Sequence, residues 1–198
     1  MARIQVPQEA SRKTIIVKAA AALFRDKGFK AASMRDLAEK VGVEAASLYN
    51  HIKSKTEILH EICFDVANRF FEHMNVVEAS ENAAIEKVEV LLRFHIREMI
   101  TDYEEVFVSD REWRHLSQPY LSNFHNQRRH YRKRFASIIE EGIKNKEIKP
   151  IDAPTAVLIM MHAIMGIDSW HRSKQKISAR ELEDNMVTII VEGLRNNP

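Results

Sequence analysis

Apolar residues recur at helical spacing along most of this chain, and any fold it adopts has to bury those stripes. Ile15, Ile16, Ala19, Leu23 and Phe24 line one face of a first helix. Ile58, Leu59, Ile62, Val66 and Phe70 line a longer one, and Ile85, Val88, Leu92, His95 and Met99 another. A further stripe runs through Leu121, Phe124, Arg128, Tyr131, Phe135 and Ile138. Two apolar segments, about 154–171 and 179–195, joined by the polar link Ser173–Ser178, read as a helical hairpin. The polar stretch Glu78–Asn82 and the prolines Pro119, Pro150 and Pro154 fall between these runs, where helices end. A sheet protein needs glycine and proline at many turns, and five of each in 198 residues are too few. No internal repeat is present. The expectation is an all-α chain.

The first 55 residues are punctuated more finely. Gly28 stops the first helix, and Phe29 is placed to fold back onto its last turn. Ser33-Met34-Arg35-Asp36 has the spacing in which a serine hydroxyl caps a helix start and an acid occupies the first turn. Leu37, Ala38 and Val41 line that short second helix, Gly42 turns the chain, and a third short helix holds Ala45 to Asn50. Two short helices joined through a glycine form a helix-turn-helix. Charge singles out the same region. Residues 1–55 carry 11 Lys/Arg against 5 Asp/Glu, or +6, and the remaining 19 against 23 give −4. Positive charge gathered on one small module suits a phosphate-binding surface, although an ordinary solvated basic face has the same composition.

Other classes fit less well. The single cysteine, Cys63, excludes an internal disulfide framework and a four-cysteine zinc site and suits a reducing compartment. The opening MARIQVPQEASRK has no apolar core of a secretory leader. The longest apolar run, Ala153–Ile167, is interrupted by His162 and falls short of the ~18 residues of a membrane span. A soluble cytoplasmic protein without membrane association is expected. Glu-x-x-His occurs at Glu57/His60 and Glu112/His115, the form used by di-iron helical bundles. With 20 Glu and 9 His, chance alone supplies about one such spacing, and no nucleophile signature or phosphate-cradling glycine loop accompanies it. The reading is therefore not an enzyme, with no cofactor and no metal; a helical bundle metalloenzyme and a helical adaptor that binds no DNA stand as alternatives.

The run SMRDLAEKVGVEAASLYNHIKSKTEIL from Ser33 to Leu59, preceded by LFRDKGF, resembles the N-terminal DNA-binding domain of TetR-family transcriptional regulators. The matching residues are Leu23-Phe24, Gly28-Phe29, Ser33, Leu37-Ala38, Gly42-Val43, Leu48-Tyr49 and Lys53-Ser54-Lys55 leading to Leu59. Two residues depart from the family pattern: Glu44, where serine is frequent at the entry to the recognition helix, and Ile52, where phenylalanine is common. The first weakens a cap; the second changes core packing. The resemblance implies a TetR-like fold with a three-helix DNA-binding domain at 1–54 and a larger helical ligand-binding and dimerisation domain at 55–198. Its partner is then a double-stranded DNA operator, entered through the major groove. Ala45 and Ala46 allow close approach, or simply favour helix. Ser47 and Asn50 offer donors and acceptors to base edges or phosphates, and Tyr49 offers its hydroxyl to a phosphate. His51 contacts the backbone or caps the helix. Lys55 is expected as a phosphate clamp, with Ser33, Met34 and Arg35 its counterparts on the second helix and Arg12 and Lys13 weaker candidates.

One recognition helix reads few bases, so a homodimer on a near-palindrome is expected. Val157, Leu158, Met161, Ile164, Met165, Met186, Ile189, Ile190 and Leu194 of the apolar hairpin are the expected subunit contact, unless both helices are buried within one chain. The segments REWRHL (111–116), EEGIKNKEI (140–148) and 165–194 are similar to the TetR subgroup that controls fatty-acid, steroid and aromatic-acid breakdown. That similarity implies a repressor released by a small effector, an acyl-CoA thioester. In the looser match Ser173 and Lys174 stand where an aromatic pair often occurs. An acyl chain would lie among Phe94, Met99, Phe107, Trp113, Phe124 and Trp170. Its CoA phosphates would meet Arg128, Arg129, Arg132 or Lys133, although RRHYRKR reads equally as a solvated helix face around Tyr131. Arg111, His95 and Tyr131 complete the ligand candidates. Arg128, on an apolar stripe, needs either an anionic ligand or a carboxylate such as Glu98, Asp110 or Glu112.

Overall fold

The structure, a computed structural model, describes residues 12–174 and 177–196. Residues 1–11, which hold most of the stretch read for a leader, Gln175 and Lys176 of the polar link, and 197–198 lie outside the described residues. The elements are α1 (Arg12–Lys27), α2 (Met34–Val41), α3 (Ala45–Tyr49), α4 (Lys55–Glu78), α5 (Ala84–Thr101), α6 (Tyr103–Arg111), a 3-10 turn (Trp113–His115), α7 (Tyr120–Lys144), α8 (Ala153–Met165), α9 (Ile167–Arg172) and α10 (Ala179–Leu194). The chain is all-α, and the one extended pairing among the described residues is the isolated bridge between Ile148 and Arg195. No helix among them is long and apolar enough to cross a membrane.

The chain packs as two compact units. One comprises the residues up to Val66 together with Glu104–Phe124; the other comprises Ala67–Tyr103 and the chain from His125 onward. In the first unit the local signals act as their chemistry requires. Gly28, at φ +79°, donates its N–H to Phe24 O (2.8 Å), and Phe29 sets its ring edge-on to Phe24 at 5.2 Å. Ser33 Oγ accepts from Asp36 N–H (3.1 Å) while Asp36 Oδ2 accepts from Ser33 N–H (2.9 Å), a reciprocal cap on α2. Gly42 ends α2 in the left-handed conformation, and nothing lies within 4 Å of where its Cβ would stand, so glycine is needed there for backbone freedom. Ser54 starts α4: its Oγ accepts from Glu57 N–H (3.1 Å), and Glu57 Oε2 accepts from Lys53 N–H (2.8 Å).

In the second unit α5 carries α8, α9 and α10 against it. Leu91, Leu92, Ile96 and Met99 of α5 are buried, as are Met160 of α8, Ile167 of α9, and Val187 and Val191 of α10. Glu183, on the buried side of α10, receives Arg93 (2.9 Å) and Arg97 (2.8 Å) from α5, and these cations hold its carboxyl below the usual range. The turn after α7 ties three helix ends together. Glu147 accepts from Ile85 N–H at the start of α5 (3.0 Å), and Lys149 N–H reaches Leu194 O at the end of α10 (2.9 Å).

Two features were not read from the chain. The segment expected as one helix over 154–171 breaks at Gly166, whose N–H bonds Ala163 O (3.0 Å) in a tighter turn before α9 begins. Residues 103–115, of which only Phe107, Asp110 and the segment from 111 onward carry an expectation and none a helix, form α6 and the 3-10 turn.

Gly142 on α7 lies where a Cβ would fall 2.5 Å from Ile148 Cδ1 and 3.1 Å from Ala84 Cβ, and Ile148 is itself buried. Gly142→Ala should therefore cost about 1–3 kcal/mol through overpacking. In urea its midpoint should fall with an unchanged slope, while Gly193→Ala, with open space around it, should lose no stability.

Candidate nucleic-acid interface

The recognition helix α3 is five residues long, and its N-cap, Glu44, makes no side-chain capping bond. Burial therefore sets its orientation. Leu48 and Ile52 point inward at 0% and 1% exposure. With those two fixed, Ala45, Ala46, Tyr49, Asn50 and His51 are all exposed, Tyr49 at 53%, and Ser47 is half-buried. On α2, Arg35 is exposed and Met34 half-buried, and their N–H groups precede the first capped amide, that of Asp36. Ser33 is exposed, but its hydroxyl donates to Asp36 Oδ2 (2.6 Å) and is committed to the cap. Lys27 and the Ser33 hydroxyl hold the Asp36 carboxyl well below the usual carboxylate range.

Much of the positive charge in this unit is already paired. Lys13 meets Glu61 (2.7 Å), Lys27 meets Asp36 (2.8 Å), and Arg25 bridges Asp26 (2.6 Å) and Glu104 (2.7 Å). Arg12, Lys30, Arg35 and Lys53 form no ion pair among the described residues and are exposed. Lys55 is engaged within its own unit. Its ammonium donates to Phe29 O (2.9 Å), Lys30 O (3.1 Å) and Ala32 O (2.9 Å), and lies 4.7 Å from the centre of the Phe29 ring. Nothing in the spacing of 29 and 55 announces that meeting.

The ligand candidates divide between the two units. In the first, Trp113 packs at 6.1 Å from Phe124, which is fully enclosed, and Arg111 lies over the Phe107 ring at 5.4 Å. In the second, His95 and Tyr131 form a buried pair, Nε2 to hydroxyl 2.8 Å, boxed by Phe70 and Phe135. Burial pushes the His95 imidazole down to about 3 and the Tyr131 hydroxyl up. Met99 is buried, its carbonyl bonded to His171 Nε2 (2.9 Å), and the Trp170 indole donates to Ile177 O (2.9 Å). Arg128 is half-buried, and Glu98, one of its expected carboxylates, is engaged by Arg69 (2.9 Å). Arg129, Arg132 and Lys133 are exposed on α7.

The hairpin requires a correction. Val157 and Ile164, expected at a subunit contact, are buried in their own chain at 2% and 3%, because Ala153, Ala156, Val157, Met160 and Ile164 form the stripe that faces the core. Leu194 is buried likewise. The outward apolar residues are Leu158, Ile159 and Ile189, the last at 74% exposure, with Met161, Met165, Met186 and Ile190 half-buried beside them. Ile159 is outside the expected contact set, although the exposed Thr155 and His162 fall on its face of α8.

Comparison with known proteins agrees with this architecture. The family described as bacterial regulatory proteins, tetR family, matches residues 16–62, and the family described as tetracyclin repressor-like, C-terminal domain, matches residues 81–194. The HTH-type transcriptional repressor KstR2 of Mycolicibacterium smegmatis is 24% identical over 189 residues, covering 94% of this chain and 92% of its own. The solved ketosteroid transcriptional regulator KstR2 of Mycobacterium tuberculosis superposes with a TM-score of 0.87 at 22% identity, covering 96% of this chain and 98% of that one. AibR, solved with isovaleryl coenzyme A and operator DNA, superposes with a TM-score of 0.77 at 21% identity, over 90% and 97% of the two chains.

The neutral His95 also carries a pH signature. Its folded pKa, about 3, lies below the ordinary 6.5, so between those values the unfolded chain binds the extra proton. The stability this residue contributes is whole above pH 6.5 and is lost, at up to about 1.4 kcal/mol per pH unit, as pH falls toward 3. Urea midpoints measured at pH 7 and pH 5 should therefore converge in His95→Gln, which keeps a partner for Tyr131; an unchanged pH dependence would contradict the assignment.

Proposed function

The chain belongs to the tetR family of bacterial regulatory proteins, and on that footing we propose that it is a cytoplasmic homodimeric repressor, not an enzyme, that leaves a palindromic operator when a small effector binds. The observation that carries this reading is the outward set on α3. Ala45, Ala46, Tyr49, Asn50 and His51 stand exposed on a helix whose other face is buried, beside the exposed Arg35 of α2. In this reading Asn50 and Ser47 meet base edges. Tyr49, Arg35 and the first amides of α2, at Met34 next to Ser33, meet phosphates. Residues 1–54 are the DNA-binding domain and 55–198 the ligand-binding and dimerisation domain.

The second subunit docks on the outward apolar residues of α8 and α10, Leu158, Ile159 and Ile189, with Met161, Met165, Met186 and Ile190 around them. The effector is an acyl-CoA thioester, a reading supported by the likeness to AibR. The residues assigned to it within one unit are His95, Met99, Arg128, Tyr131 and Trp170. For release, the effector must bind the DNA-free conformation more tightly than the DNA-bound one.

The test starts from duplexes selected by the protein out of a random-sequence pool. Tyr49→Phe should weaken all selected duplexes together by roughly 10-fold or more, since a hydrogen bond to a charged group is worth about 1.5–3 kcal/mol. Ile159→Asp should yield a folded single subunit that no longer binds them. Isovaleryl-CoA and longer acyl-CoAs should raise the melting temperature and release the duplex where free CoA does neither. Failure to enrich any sequence would overturn the DNA reading, and indifference to every acyl-CoA would overturn the effector reading alone.

A further inference from the structure

The loop between α1 and α2 has to turn the chain and then present α2 at a defined angle, yet its backbone leaves several carbonyls without amide partners. Among the described residues, the backbone bond that closes the loop is Ala32 N–H to Gly28 O (3.2 Å). The carbonyls of Phe29, Lys30 and Ala32 converge instead on one point, where the Lys55 ammonium sits at 2.9, 3.1 and 2.9 Å. An ammonium has three N–H donors. Here the three contacts take up that donor capacity, and the charge also lies over the Phe29 ring at 4.7 Å. Phe29 is held from two further sides, by the Phe24 edge (5.2 Å) and by the stacked His115 ring (5.5 Å). A lysine so engaged has no donor left for a phosphate unless the loop gives up its own contacts.

We propose that Lys55 is a positioning residue for DNA binding: it fastens the Gly28–Ala32 loop to the start of α4, so that the capped α2, and α3 behind it, meet the duplex at a fixed angle, while its own charge contacts no phosphate. The inference rests on the DNA-binding reading above, and it reverses the role that the resemblance assigns to this lysine. The phosphate-facing cations are then Arg35 and the exposed Lys30 and Lys53, none of which is ion-paired among the described residues.

Two measurements on the unmodified protein need no DNA. Reductive dimethylation with formaldehyde and borohydride, read by mass spectrometry, should modify Lys55 at least 10-fold more slowly than the exposed Lys30 and Lys53; equal rates in the free protein would overturn the proposal. Adding a selected duplex should protect Lys30 and Lys53 and leave the Lys55 rate as it was, whereas a phosphate clamp would become protected at that step. Lys55→Met then separates the two roles energetically. Losing a phosphate contact lowers the slope of log affinity against log salt by about 0.9. A positioning role leaves that slope unchanged, weakens binding at every salt concentration, and speeds hydrogen exchange of the amides from Lys30 to Leu37. A lowered slope with unaltered exchange would show the lysine to be a clamp. Should the variant unfold, the methylation rates still decide the question. If the wild type selects no duplex, the functional reading fails, while slow methylation of Lys55 in the free protein would still stand.

Discussion

A helix of five residues is too short to exist on its own in water, because fixing its first turn costs more than the few hydrogen bonds it closes return. The recognition helix of this protein is such a helix, and its N-cap contributes no side-chain bond. What holds it is burial of Leu48 and Ile52. Their insertion fixes the rotation of α3 about its own axis, and that rotation decides that Ala45, Ala46, Tyr49 and Asn50 face outward. The isoleucine at 52, where the family pattern has phenylalanine, is therefore an energetic support of the reading surface. Deleting its side chain would leave a cavity costing about 2–5 kcal/mol at the point from which the helix is hung.

How much of this was legible depends on whether the signal is local. Gly28, Ser33 and Gly42 act through conformations and caps that reach three or four residues, and each behaves in the structure as its type predicts. The long amphipathic stripes of α4, α5 and α7 were legible because polar faces mark which side is outside. On α8 only Thr155 and His162, both exposed, mark the outward face of Leu158 and Ile159, and two polar residues on an otherwise apolar helix are a weak sign that Val157 and Ile164 turn inward. The contacts of Lys55 were not legible for another reason. Its partners are main-chain carbonyls 23 to 26 residues away, which leave no trace in side-chain identity. For α6, only the assembled fold groups residues 104–124 with the chain's first 66.

The carboxylates and histidines that suggested a metal bundle are engaged in holding helix ends and rings. Glu57 accepts the Lys53 amide at the start of α4, and His60 lies between Phe64 (4.5 Å) and Tyr120 (4.2 Å). Glu112 sits 3.4 Å from His115, whose ring stacks on Phe29. Each of these side chains would have to abandon a contact to ligate an ion.

Recognition of DNA by such small heads places a demand on residues far from the duplex. A single head of three short helices touches few base edges, and each good contact is worth about 1–3 kcal/mol, too little for one site among a genome of competitors. Joining two heads makes the second engagement intramolecular, and avidity gains of about 100- to 10,000-fold follow only if the spacing matches the duplex. On the proposed reading, in which the outward residues Leu158, Ile159 and Ile189 carry the second subunit, spacing depends on what fixes α8 and α10. In each chain α10 is fastened to α5 by Glu183, gripped by Arg93 and Arg97, and Arg93 also holds Asp184 at 3.1 Å and Glu89 at 2.9 Å. The carboxylate of Glu183 is mostly buried, so removing one arginine leaves a charge that the other must satisfy alone, and the helix has to shift to expose it. On that reading this ion cluster bears on affinity for DNA through the placement of α10. On the same reading Tyr49 acts through one contact, and the cluster acts through the placement of the second subunit.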